Sequence, residues 1–233
     1  MAQSVEQLIR NQQVASSILA SSSKKIMEII KVLTHSNLFS QNSYIVCEKN
    51  DAILIDAGAS LKDVLVFSKP IKAIFLTHCH YDHIMFLTEL QNHYACPIFI
   101  SKLDADGLFD KVKNGTIRFA KRFELNDNLK NHIKIVSDNE IIQIGELKIK
   151  TLLTPGHTNG SACFLIDENI FTGDTLFADC IGRTDFATGS LSEMKSSLNR
   201  LDLVEYQNLY PGHMRQSNKA EQRVNIKYWL SLD

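Results

Sequence analysis

A chain of 233 residues, 44% hydrophobic and 22% charged, is ordinary for a globular protein and long enough for one sizeable core. Its formal net charge of −1 argues against a general electrostatic attraction to nucleic acid or anionic lipid. No apolar run approaches bilayer-spanning length, and no basic stretch followed by an apolar one opens the chain, so neither a membrane span nor a secretory leader is expected.

Taken in order, residues 1–33 carry Val5, Leu8, Ile9, Ile18, Leu19, Ile26, Ile29, Ile30 and Leu33 at largely helical spacing, interrupted by serines. This predicts an N-terminal helical extension over 1–33, without chemistry-bearing residues, ahead of a domain over 34–233. From Asn42 the pattern changes. Tyr44 to Cys47 and Ala52 to Ile55 read as a hairpin around Glu48-Lys49-Asn50-Asp51. A helix near 60–68, a strand at 72–77, a helix near 82–94, a strand at 97–100 and a helix near 102–112 follow. A β-rich block then covers 132–137, 141–144, 147–153, 161–166 and 169–172, and helices near 190–201 and 218–231 flank a short strand at 208–210. Two mixed sheets packed face to face with helices outside each is the architecture this order suggests.

The most informative stretch is Thr77-His78-Cys79-His80-Tyr81-Asp82-His83, directly after the apolar run Ala73 to Leu76. Imidazole nitrogen and carboxylate oxygen are the donors that divalent metals take at about 2.0–2.2 Å. At a strand exit His78 and His80 point the same way because the strand period is two, and Cys79 between them points away. Asp82 and His83 start the next helix and present a second pair of donors, which suits two ions in one cleft. Three further pieces lie at strand ends: Thr154-Pro155-Gly156-His157, Thr172-Gly173-Asp174-Thr175 and Tyr210-Pro211-Gly212-His213. Asp56 ends a hydrophobic strand, where an unpaired carboxylate is costly.

The ordered series HxHxDH, PGH, GD, PGH resembles the metallo-β-lactamase superfamily, over about Ser43 to Leu230. The resemblance implies an α/β fold, an αββα sandwich with the metals at one edge between the sheets. It implies that His78, His80 and His157 hold one metal, that Asp82, His83 and His213 hold a second, and that Asp174 bridges them. Two divalent ions, zinc first and iron or manganese as alternatives, are then the expected cofactors. Asp82 and Asp174 are the expected catalytic carboxylates, and a metal-bridging hydroxide the nucleophile. Asp56 matches a position that bonds the metal-ligand loop without ligating.

Within that superfamily, Gly173-Asp174-Thr175-Leu176-Phe177 and Ile181-Gly182-Arg183-Thr184-Asp185-Phe186 resemble glyoxalase II-like hydrolases (hydroxyacylglutathione hydrolases), and also persulfide dioxygenases. The resemblance implies hydrolysis of small thioesters, with an iron-dependent persulfide dioxygenase as the alternative and a non-catalytic metal-binding protein as the third reading. Two roles fit Arg183: a guanidinium fork for a substrate carboxylate, or a loop-fixing pair with Asp185. Tyr210-Pro211-Gly212-His213 favours the hydrolase, because the dioxygenases commonly place alanine before that histidine. Two departures stand out. Only Met214 to Asp233 follow His213, where full-length glyoxalase II has a helical domain that contacts glutathione, and Ile84-Met85-Phe86 replaces the usual glycines. The basic insertion with Lys111, Lys113, Arg118, Lys121, Arg122 and Lys130 is mixed with Asp110, Glu124 and Asp127, and reads as a solvated surface before a cationic rim. Five cysteines without paired spacing fit a reducing cytoplasm. The expected partner is a small thioester, with no nucleic acid and no membrane.

Overall fold

The computed structural model describes residues 27–32 and 39–232. Its first sheet contains β1 (Met27–Val32), β2 (Ser43–Glu48), β3 (Asp51–Ile55), β4 (Ile71–Phe75), β5 (Ile98–Ser101) and β6 (Ile133–Val136), neighbours in that order. The second sheet contains β7 (Ile141–Ile144), β8 (Leu147–Leu153), β9 (Ala162–Ile166), β10 (Asn169–Gly173), β11 (Asn208–Pro211) and β12 (Ser217–Asn218), again in sequence order across the sheet. Helices α1 (Leu61–Leu65), α2 (Tyr81–Ile84), α3 (Leu87–Tyr94), α4 (Lys102–Gly107) and α5 (Thr116–Phe119) fall between strands of the first sheet, whereas α6 (Leu191–Leu203) and α7 (Lys219–Ser231) belong to the second half.

Connection length decides strand direction. The short turn at Lys49-Asn50 makes β2 and β3 antiparallel, whereas β3 to β6 run parallel because helix-containing crossovers join them. The central strands are buried on both faces, so they read as nearly continuous apolar runs. In β2 and β3, Tyr44, Val46, Ile53 and Ile55 face the other sheet, where they meet Ile149, Phe164, Ile166 and Phe171. Their neighbours Ile45 and Leu54 face outward with Val64, Leu87 and Leu90. On the far side, Leu152, Cys163, Ile170 and Leu209 pack under Met194, Leu198 and Leu201 of α6 and Ile226 of α7. This is the expected αββα sandwich.

Four local expectations are revised. Residues 27–32 form a strand, not the end of a helical extension; β1 pairs antiparallel with β2 and covers what would otherwise be an open edge. The remainder of that extension, residues 1–26 and 33, lies outside the described residues. The helix expected over 82–94 breaks at Phe86, whose backbone N–H donates to the Ala57 carbonyl (2.9 Å) rather than back along the helix. The helix expected over 102–112 ends at Gly107, with a buried asparagine loop beyond it. Finally, β6 pairs parallel with β5, so the β-rich block divides between the two sheets. Among the described residues, no helix is long and apolar enough to cross a membrane.

The inter-sheet core gives a direct test. Phe164 is fully buried and meets the Phe75 ring edge-on at 5.2 Å. Phe164→Ala should cost about 3–5 kcal/mol of unfolding free energy in denaturant titrations; a loss under about 1 kcal/mol would mean that the sheets do not pack on this residue.

Candidate metal centre

All seven expected donors come from loops at one edge of the sandwich. The loop after β4 brings His78 and His80, the first turn of α2 brings Asp82 and His83, and the turn after β8 brings His157. Asp174 follows β10, and His213 follows β11. The strands fix where these loops begin, and two glycines let them close. Gly173 has φ 49°, where a side chain would run into Thr77. At Gly212 a Cβ would collide with the Asp174 carboxylate and lie 2.7 Å from His83 Cε1.

Three overlapping groups of donor atoms result: His78, His80 and His157; His78, His83 and Asp174; and Asp82, His83 and His213. Within each group the atoms lie within 4.8 Å of one another. Asp174 stands between the first and third groups. Its Oδ2 is 3.5 Å from His157 Nε2 and 3.5 Å from His213 Nε2, and its Oδ1 is 3.2 Å from His83 Nε2. Asp82 Oδ2 lies 3.1 Å from His213 Nε2. Cys79 is buried, bonded by its backbone N–H to Asp104 and turned toward Gly107, and it belongs to none of these groups.

Hydrogen bonds behind the donors set which ring nitrogen faces inward. Asp56, at φ 61°, accepts from the Thr77 N–H and the Thr77 hydroxyl, each at 2.8 Å, and from His83 Nδ1 at 2.8 Å. The Thr77 oxygen in turn lies 3.0 Å from His78 Nδ1, which can donate to it. One carboxylate therefore leaves the Nε2 lone pairs of both His78 and His83 aimed into the cluster. His157 is set independently, because its Nδ1 donates to the Arg183 carbonyl at 2.7 Å.

The residues fit a cation on two grounds. Among the described residues, nothing hydrogen-bonds the buried His78 Nε2 or Asp174 Oδ1, although His83 Nε2 lies 3.2 Å from the latter. His80 Nδ1 and His157 Nε2 also face each other across 2.8 Å, a separation bridged by a ring proton on His80 or, with that proton displaced, by a cation that both lone pairs can reach. Burial pushes the His78, His80 and His157 imidazoles below their usual range, His80 to about 3, so they stay neutral as ligands must. Burial also opposes charge on His83 and His213, but the surrounding carboxylates outweigh it, Asp174 foremost, and raise His213 to about 9. Asp82 and Asp174 are lowered despite their burial, chiefly by His83. The cluster thus demands positive charge, and metal binding would displace protons from His83 and His213.

The centre lies on a cleft of about 470 Å³ whose walls include Phe39, Tyr81, Phe119, Arg183 and Phe186. Arg183 is committed to its neighbours: Nε and Nη2 form a bidentate pair with Asp185 (2.9 and 2.6 Å), and the guanidinium lies 4.6 Å from the Phe186 ring centre. The loop-fixing pair, one of its two expected roles, is therefore formed. The basic insertion is likewise partly paired, Lys111 with Glu124 and Lys130 with Asp127.

Two supports had no sequence signal. Asn42 donates to the Pro211 and Met214 carbonyls, both at 3.0 Å, and so holds the His213 loop against β2. Buried Asp104 accepts from the Cys79 N–H (3.1 Å) and the Thr158 hydroxyl (2.8 Å), tying the His78–His80 loop to the His157 loop. Neither residue carries a motif of its own; only their long-range contacts mark them.

A family model described as the metallo-beta-lactamase superfamily matches residues 36–213, and the chain belongs to that superfamily. A probable metallo-hydrolase of Streptococcus pyogenes is 30% identical over 202 residues, covering 81% of this chain and 84% of the relative. A probable polyketide biosynthesis zinc-dependent hydrolase, PksB of Bacillus subtilis, is 30% identical over 168 residues, covering 70% and 67%. Among solved structures, the BLEG-1 B3 metallo-beta-lactamase superposes with a TM-score of 0.78 at 22% identity, over 88% of this chain and 100% of that one, a likeness of fold.

Asp104 offers a test of how the centre is held. Asp104→Ala should weaken metal affinity about 10- to 100-fold in chelator competition, and Asp104→Asn, which keeps an acceptor, should recover most of it. Burial raises the Asp104 carboxyl to about 6, so the folded chain holds that proton more tightly than the unfolded one. Its contribution to stability is present below the ordinary 3.8 and is lost as pH rises through 6. Unchanged affinity in the alanine variant would show that the two loops keep register without it.

Proposed function

We propose that this chain is a dinuclear metallo-hydrolase of small thioesters, with His78, His80 and His157 holding one ion, Asp82, His83 and His213 the other, and Asp174 shared. The observation that carries the dinuclear reading is the Asp174 carboxylate, whose Oδ2 stands 3.5 Å from imidazole nitrogens of both groups. Imidazole and carboxylate donors suit zinc, iron and manganese alike; a relative named as a zinc-dependent hydrolase supports zinc.

When bound, two such ions supply a water acidified toward neutral pH and a Lewis acid for the carbonyl oxygen. The chain's own residues do the rest. Asp56 and the Arg183 carbonyl fix ring orientation, so the donors need little rearrangement on turnover. Phe39 and Phe186 line the cleft beside the donors. The chemistry suits a thioester because a thiol's ordinary value near 8.5 lets it leave as thiolate without a dedicated acid. The choice of thioester over other acyl compounds rests on the resemblance of Gly173 to Phe186 to glyoxalase II-like hydrolases. All five cysteines are unpaired, which supports a reducing, cytoplasmic setting.

Arg183 retains a role at the substrate in this reading. With Nε and Nη2 held by Asp185, its Nη1 is the group left to meet a substrate carboxylate, pre-positioned by the pair and by Phe186.

Hydrolysis of hydroxyacyl-glutathione thioesters by metal-reconstituted protein, read alongside oxygen uptake with glutathione persulfide, tests the reaction. Thioester cleavage without oxygen uptake is expected; rapid uptake with no cleavage would establish the dioxygenase instead. In the same assay Arg183→Ala should raise KM about ten- to a hundredfold for substrates bearing a carboxylate on the thiol, and Asp174→Ala should collapse kcat. Equal KM changes with and without the carboxylate would remove Arg183 from substrate recognition.

A further inference from the structure

The basic insertion beside the metal donors also carries three exposed apolar side chains, which line the cleft together with Arg118. Val112, Ile117 and Phe119 are 54%, 46% and 54% exposed, all within eight residues of one another, and all three line the cleft that also contains His80, Asp82, Asp174 and His213. Clustered exposed side chains of this kind mark ligand grooves more often than scattered ones do.

The segment that carries them is built, not loose. Asn114 is buried; its side chain donates to the Leu108 carbonyl (2.8 Å) and accepts from the Thr116 N–H (3.0 Å) and hydroxyl (2.7 Å). Its own carbonyl accepts from the Tyr81 N–H at 2.9 Å, so the wall is bonded to the residue between donors His80 and Asp82. Phe119 is further braced edge-on by Phe39 at 5.5 Å. The fold therefore holds an apolar surface in a fixed place beside the centre, although none of these three side chains is in the buried core.

We infer that Val112, Ile117 and Phe119 form the binding site for an apolar acyl group, so that the preferred substrates are thioesters of aliphatic or aryl acids rather than of small hydroxy acids. This rests on the thioester reading above. A thioester has two arms, and the thiol arm of a biological carrier bears amides and carboxylates that gain little from a wall of aliphatic and aromatic carbon. The acyl arm is the one that such a wall rewards.

The test is a series of S-acyl glutathiones from acetyl to octanoyl, with the lactoyl thioester included, on metal-reconstituted protein. Alkanoate binding measured by calorimetry on the same protein supplies a readout independent of turnover. Each added methylene should raise kcat/KM roughly three- to fourfold until the wall is covered, and octanoate should bind more tightly than acetate. Ile117→Ser should cut the octanoyl-to-acetyl ratio of kcat/KM about tenfold or more, and Val112→Ser provides a second variant should the first fail to fold. Hydrolysis that is flat or falling with chain length, with lactoyl preferred, would overturn the acyl assignment and leave the thioesterase standing. No cleavage of any thioester, with octanoate still preferred over acetate, would overturn the thioesterase and leave the apolar site. Failure of both readouts would overturn both.

Discussion

The structure depends on the burial of one carboxylate, Asp174, among imidazoles at the edge between two sheets. A carboxylate in that position is costly unless it is compensated, and here the compensation must come from the loops that converge on it. His83, His157 and His213 each bring a nitrogen within 3.5 Å of its oxygens. A dication would meet that demand and would also reach His78 Nε2, which nothing among the described residues hydrogen-bonds. The demand for a cation is thus a property of the folded chain.

That arrangement draws on both sheets. Asp56 at the end of β3 orients His78 and His83, whereas the donors His157, Asp174 and His213 come from the second sheet. Tyr44 in β2 donates to the Pro211 carbonyl at 2.8 Å, and the Ala162 N–H at the start of β9 donates to the Thr77 carbonyl at 2.9 Å, so the sheets are stitched together at the same edge. Packing between Phe75, Phe164 and Phe171 sets the distance between them. A change in inter-sheet packing would therefore be transmitted to donor geometry, and the core and the site are parts of one mechanical unit.

Much of this was legible in the sequence. The run from His78 to His83 and the glycine or proline motifs before His157, Asp174 and His213 marked side chains that the fold brings to one edge, and the double-faced burial of β2 to β4 explains why those strands read so clearly. The parts that did not read are those governed by distant contacts. Within a stretch of helical spacing, Met27–Val32 forms β1 because β2 offers an open edge. The helix after His83 breaks at Phe86 because the Ala57 carbonyl captures its N–H. Asp104 and Asn42 support the donor loops from 25 and 169 residues away, to Cys79 and to Pro211, separations at which no local motif exists. Arg183 was readable as either of two things, and its neighbour Asp185 occupies most of its fork.

The proposed function requires the seven side chains to act as one centre for two ions, coupled through Asp174. Titration of zinc into metal-stripped protein against a chromophoric chelator measures this directly. Two tight equivalents per chain are predicted for the wild type, and the loss of Asp174 by substitution with alanine should weaken both. A single tight equivalent in the wild type, or an Asp174→Ala variant that still binds two ions with unchanged affinity, would contradict the account.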